Sequence, residues 1–259
     1  MDLGIRGRRA IVSAASKGLG KACAMSLARE GVDLTINARD EAVLEKAAAE
    51  IREATGVEVV VVAGDIGADG TRARLLAACP EPDIVVNNNG GPPPGRFQDW
   101  DRDAWLAACE ANMLSPLLLT REVIDGMVGR RFGRIVNITS AMVKTPLSPM
   151  GLSVAARAGL TAMAKALSRD VAAANVTINN LLPERIDTDR QRSMAELGAA
   201  IKGTTIEEEY EAIAATIAAR RLGRPHEVGD ACAFLCSAQA GFISGQNLQV
   251  DGGSYAGVF

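Results

Sequence analysis

A single histidine, His226, stands among 259 residues, and aromatic side chains make up only 3% of the chain. One histidine argues against a zinc site built from protein ligands, so no metal is expected, and against a Ser-His-Asp triad. With so few aromatics the core must be Ala, Val, Leu and Ile, which the 48% hydrophobic content supplies. No C-x-x-C pair occurs; Cys23, Cys79, Cys109, Cys232 and Cys236 read as small buried apolar groups in a reducing compartment. No apolar run nears the ~18 residues of a membrane span. The N-terminal MDLGIRGRRAIVSAASKG has only a short apolar strand behind its basic residues, which is not a signal peptide. A formal net charge of −3 and the lack of a basic run point away from nucleic acid and anionic membranes. The expected setting is the cytoplasm and the expected partner a small molecule.

What is present is an alternation. Apolar, largely β-branched runs at residues 8–14, 32–37, 57–63, 83–87, 133–139, 176–182 and 247–250 read as strands. Helical patterns lie between them. Behind Asp40, for example, Val43, Leu44, Ala47, Ala48 and Ile51 recur at helical spacing. This order predicts an α/β fold: one doubly wound, Rossmann-type domain over 1–259, with a parallel sheet of about seven strands and helices on both faces. Ligands then gather at the carboxyl ends of the strands. Residues 184–222 loosen into polar, helix-forming pieces.

The segment Ser13-Ala14-Ala15-Ser16-Lys17-Gly18-Leu19-Gly20 joins a strand to a helix, where backbone amides and the helix dipole can hold an anion. By itself it also fits a plain β–α connection. Further motifs make the pattern specific. The turn follows T-G-x-x-x-G-x-G at Gly18 and Gly20, with Ala14 in place of the first glycine. Asp65-Ile66, Asn87-Asn88-Asn89-Gly90, Asn112, the run Arg221 to Val228, and Ser244-Gly245-Gln246 with Val250-Asp251-Gly252-Gly253 complete the set. On these residues the chain resembles the short-chain dehydrogenase/reductase family, nearest its 3-oxoacyl-acyl-carrier-protein reductase-like branch.

That resemblance implies an oxidoreductase of a carbonyl/alcohol substrate that uses a nicotinamide dinucleotide. The cofactor would lie along Ser13, Ala15, Ser16, Lys17, Gly18 and Leu19, with Asp65 and Ile66 at the adenine and Asn88, Asn89, Gly90 and Pro183 bordering it. A left-handed Ala14 would cost roughly 1 kcal/mol. Where an acidic residue would bind the ribose diol of NAD, the chain reads Asn37-Ala38-Arg39-Asp40. Arg39 is a fork suited to a 2′-phosphate and Lys17 a second cation in reach, so NADP(H) is expected over NAD(H). The plainer alternative is two solvated charges, with Asp40 acting only as a helix cap.

The family pattern places a tyrosine thirteen residues after a serine and a lysine four beyond it. Counted without a gap from Ser140, those positions hold Ser153 and Arg157, inside A-A-R-A-G-L where the family has A-A-K-A-G-L. The candidate catalytic set is therefore Asn112, Ser140, Ser153 and Arg157, with Arg157 also a ribose ligand. A serine hydroxyl titrates far above neutrality and an arginine keeps its proton. Losing a positioned acid forfeits about 10²–10⁴ in rate. Ser153 reads equally as an ordinary helix serine.

Tyr210, where the family has a mobile substrate lid (here about 184–222), and Lys144 are the other possible proton carriers; lid anchor and loop charge are their plainer readings. Pro183-Glu184-Arg185 stands where the family has Pro-Gly beside the nicotinamide; Arg185 could pair with Glu184 or hold an anionic substrate, and an exposed ion pair is the plainer reading. Two functions follow: an NADP(H)-linked oxidoreductase with altered proton transfer, or a non-redox binding, regulatory, lyase or isomerase protein on the same scaffold. Family members form tetramers through two long helices, here about 101–129 and 149–174. Ala155, Ala158, Ala162 and Ala166 would pack there, or else inside their own subunit.

Overall fold

Strand-forming runs rich in Val, Ile and Asn build a sheet in the computed structural model, which describes residues 2–258: β1 (Arg9–Val12), β2 (Asp33–Ala38), β3 (Val59–Ala63), β4 (Ile84–Asn87), β5 (Gly133–Ile138), β6 (Val176–Pro183) and β7 (Asn247–Val250). All pairings are parallel and the order is β3-β2-β1-β4-β5-β6-β7. Winding reverses between β1 and β4, which opens a crevice at their carboxyl ends.

The helices are α1 (Gly18–Arg29), α2 (Glu41–Thr55), α3 (Asp69–Ala78), α4 (Arg102–Cys109), α5 (Ser115–Arg130), α6 (Gly151–Val171), α7 (Asp189–Lys202), α8 (Ile206–Thr216) and α9 (Pro225–Cys236). One core packs α1, α2 and α9 on one face of the sheet, through Leu27, Leu44 and Val228. The other packs α3, α5 and α6 on the opposite face, through Leu75, Leu119 and Ala164. Helices α1 and α9 approach so closely that a Cβ on Gly229 would lie 2.5 Å from the Ala22 carbonyl oxygen. All five cysteines are free thiols, four of them buried, as expected of apolar filler.

A ladder of amides crosses the sheet. Parallel register sets Asn87, Asn137, Asn180 and Asn247 side by side. Asn87 Nδ2 donates to Asn137 Oδ1 (2.9 Å), Asn137 Nδ2 to Asn180 Oδ1 (2.9 Å) and Asn180 Nδ2 to Asn247 Oδ1 (2.8 Å). Each amide thus satisfies the next, and β4, β5, β6 and β7 are held in register across the sheet, from the last residue of β4 to the first of β7. Asn137→Ala would strand a donor and an acceptor in the core, so it should destabilise the fold by about 2–3 kcal/mol in chemical denaturation.

Candidate active site

The turn after β1 is built by strain and by a clamp. Ala14 adopts φ 47°, the left-handed conformation that the missing glycine would have taken freely. Gly20 is indispensable there, because a Cβ on it would lie 2.2 Å from the Ala14 carbonyl oxygen. Ser13 Oγ donates to the Asn88 carbonyl (2.8 Å) and accepts from the Asn88 amide (2.9 Å), fastening the β1 turn to the β4 loop. Two expected cofactor contacts move from the rim to the foundation of the turn. The Ser13 amide is spent on Val86 O (3.1 Å) and the Ala15 amide on Asn37 O (2.9 Å), and both residues are buried. Ser16, Lys17, Gly18 and Leu19 do line the cleft, at the first turn of α1. No side chain caps that helix, so its leading N–H groups stay available to an anion.

At the end of β2 the acid is engaged through one oxygen. Asp40 caps α2, accepting from the Val43 amide (3.1 Å). Arg39 lines the cleft beside it and makes no hydrogen bond or ion pair among the described residues. Lys17 faces Asp189 at 3.7 Å across the opening, both side chains exposed. Asp65 and Ile66 line the same end of the cleft. Their loop is shaped by the buried Arg72, which donates to Ile66 O (3.0 Å) and Gly67 O (2.7 Å). The free Arg39 cation and the open amides together fit a dinucleotide bearing a 2′-phosphate.

The reaction centre lies in the same cleft, of about 1090 Å³, with Asn88, Asn89, Gly90 and Pro183 also on its walls. Arg157 is 8% exposed and carries four hydrogen bonds into the protein. Nη1 donates to the Ile138 and Thr139 carbonyls (2.7 and 2.8 Å), Nη2 to Asn89 O (3.0 Å) and Nε to Ser153 Oγ (3.1 Å). Burial, and then the nearby charge of Arg190, push its pKa down to about 10, so it stays a cation at neutral pH. Ser140 Oγ accepts from the Met142 amide (3.2 Å). Both serines line the cleft as acceptors of protein N–H groups, which leaves each hydroxyl hydrogen to donate outward.

Asn112 sits in a π-turn (Glu110–Leu114) between α4 and α5, and Pro116, four residues on, cannot donate to its carbonyl. Its Oδ1 is buried and has no hydrogen-bond partner among the described residues, an acceptor left on the cleft wall.

The structure takes two expected residues out of the centre. Lys144 Nζ donates to Gln249 Oε1 (3.1 Å) and lies over the Tyr255 ring, away from the cleft lining. Tyr210 donates to Asp187 Oδ1 (3.1 Å) from α8, and burial and that carboxylate raise its pKa. It ties α8 to the loop before α7 and lies outside the cleft lining. Glu184 and Arg185 do line the cleft but form no ion pair with each other. Burial holds the Glu184 carboxyl above the usual range, and Arg185 takes a left-handed φ of 52°. Sequence reading missed Arg190, on the first turn of α7, which donates to Gly91 O (2.8 Å) and Pro92 O (3.0 Å). No local pattern marks such a residue, because its partners lie almost a hundred positions away.

Residues 13–255 match the family model described as enoyl-(acyl carrier protein) reductase. The 3-oxoacyl-acyl-carrier-protein reductase FabG of Pseudomonas aeruginosa is 32% identical over 257 residues, covering 98% of this chain and 99% of that protein. NADPH-dependent reductase BacG of Bacillus subtilis is 32% identical over 255 residues, 95% of this chain and 97% of the relative. The crystal structure of L-sorbose reductase from Gluconobacter frateurii, complexed with NADPH and L-sorbose, superposes with a TM-score of 0.94 at 27% identity over 100% of both chains. The chain belongs to the short-chain dehydrogenase/reductase family.

Proposed function

We propose that the protein is an NADP(H)-linked oxidoreductase of a carbonyl/alcohol substrate, in which a serine–guanidinium site stands in for the family's tyrosine and lysine. The observation that carries the cofactor half is the end of β2: Asp40 caps the next helix through Oδ1, while Arg39 beside it lines the cleft with no hydrogen bond or ion pair among the described residues. Relatives that are NADPH-dependent reductases by name support the same half. Residues 16–19 and Lys17 with Arg39 would hold the phosphates, Asp65 and Ile66 the adenine, and Asn88, Asn89, Gly90 and Pro183 the nicotinamide side. The nucleotide, when bound, supplies or accepts the hydride.

The chain's own residues then manage the substrate oxygen. Ser140 and Ser153 present hydroxyl donors whose acceptor sides are already occupied, so their orientation is set before substrate arrives. Arg157 places a fixed positive charge behind Ser153, where negative charge builds on the oxygen. Preorganised donors of this kind contribute about 10²–10³ each in rate. The proton passes from the Ser153 hydroxyl, which regains one from water. A non-redox protein on this scaffold, the alternative, draws no support from relatives that are reductases.

We assign the outward faces of α5 and α6 to a homotetramer contact. Ala155, Ala162 and Ala166 are exposed and Met163 is 42% exposed, so packing inside their own subunit does not explain them. Five free thiols suit a cytoplasmic setting.

Titration with NADPH, followed by fluorescence, should saturate in the micromolar range, and Arg39→Ala should weaken it about tenfold or more while leaving NADH little changed. Absence of binding at millimolar NADPH would overturn the reading. Light scattering at micromolar protein should give the mass of four chains, and a monomeric mass contradicts the assembly.

A further inference from the structure

We propose that the cleft recognises its substrate by a carboxylate, seated in the notch beside Gly91 between the guanidinium groups of Arg157 and Arg190. The inference rests on the reductase reading and adds the substrate class: an oxo acid, or the matching hydroxy acid.

A Cβ built on Gly91 would lie 3.3 Å from Ser153 Oγ, 3.5 Å from Arg190 Nη2 and 3.7 Å from Arg157 Nη2. A hydroxyl and two guanidinium nitrogens therefore face one small volume, which glycine leaves open. The two cations arrive from different elements. Arg157 rises from α6 and is fixed by Ser153, Ile138, Thr139 and Asn89; its remaining N–H is on Nη2, which faces the notch, so that donor goes to the substrate rather than to the cofactor ribose. Arg190 comes from the opposite rim, on α7, and is held by the Gly91 and Pro92 carbonyls. Neither has a carboxylate within ion-pair distance among the described residues, although Glu184 and Asp189 line the same cleft.

Arg157 is buried and Arg190 exposed, so an anion between them would supply the counter-ion that the buried cation lacks and be reinforced by the solvated one. A carboxylate matches the guanidinium fork in shape as well as charge. On the same turn of α7, Gln191 Nε2 is a further buried donor with no partner on the cleft lining. The cofactor's phosphates have their own seat at residues 16–19, after β1, whereas the notch lies after β4 beside Ser153. Pro92, Pro94, Trp100 and Met150 offer an apolar wall for the rest of the molecule.

Calorimetry on the protein saturated with NADP⁺ tests this with pyruvate, acetoacetate and levulinate, each set against its methyl ester. At least one acid should bind tenfold or more tighter than its ester. Arg190→Gln should lower that preference at least tenfold, and Arg190→Lys should restore part of it. In NADPH oxidation the loss should fall on KM. Equal binding of every acid and ester, no binding of any acid up to about 50 mM, or a preference that survives Arg190→Gln would overturn the proposal. So would acid binding only to nucleotide-free protein, which places the anion in the cofactor's phosphate seat. If NADP⁺ itself fails to bind, the reductase reading falls; if it binds and no acid preference appears, only the carboxylate falls.

Discussion

A buried guanidinium has to be met by acceptors, and in this protein that requirement organises the reaction centre. Arg157 takes carbonyls from the end of β5 and from the loop after β4, and a hydroxyl from its own helix. Hydrogen bonds to a charged group contribute about 1.5–3 kcal/mol each, against a desolvation cost of several kcal/mol. The outcome is a strut that ties α6 to two strands, fixes the Ser153 hydroxyl and holds a permanent charge at the cleft. A lysine there would have one mobile ammonium; the fork spends most of its donors on the protein. The same feature therefore stiffens the site and leaves it without a titrating partner for proton relay.

Around that strut the scaffold is set by equally local demands. Parallel register lines up four asparagines, and each amide satisfies its neighbour from β4 to β7. The Ser13–Asn88 clamp joins the two loops at the switch point. The open amides of α1 then face the same crevice as Ser140, Ser153 and Arg157. The proposed dinucleotide and substrate sites share one cleft because the winding reverses there.

Much of this was legible in the sequence, and the exceptions have physical causes. Strand and helix order followed from periodicity, and an ungapped count placed Ser153 and Arg157 one helical turn apart, where they hydrogen-bond. Ala14 is left-handed, one of the two outcomes its place in a glycine motif left open, and Asp40 is a cap. What stayed hidden depends on tertiary geometry. Ser13 and Ala15 fall in the phosphate motif, yet their amides complete the sheet. Lys144 and Tyr210 carry suitable chemistry, but each is turned toward another partner. Arg190 looks like one more charge in a polar segment until folding brings it to Gly91.

On this account the substrate oxygen is held by serine hydroxyl donors backed by a fixed guanidinium charge rather than by an acid that titrates near neutrality. The pH dependence of kcat for NADPH oxidation, measured between about pH 6 and pH 9 with any carbonyl compound turned over, tests it most directly. A serine–guanidinium site gives a flat profile, and Ser153→Tyr combined with Arg157→Lys introduces a titrating limb. A rate in the unaltered protein that falls as pH rises through that window would contradict the claim. It would assign the proton to a titrating acid, with Glu184, its carboxyl already raised by burial, the first to examine.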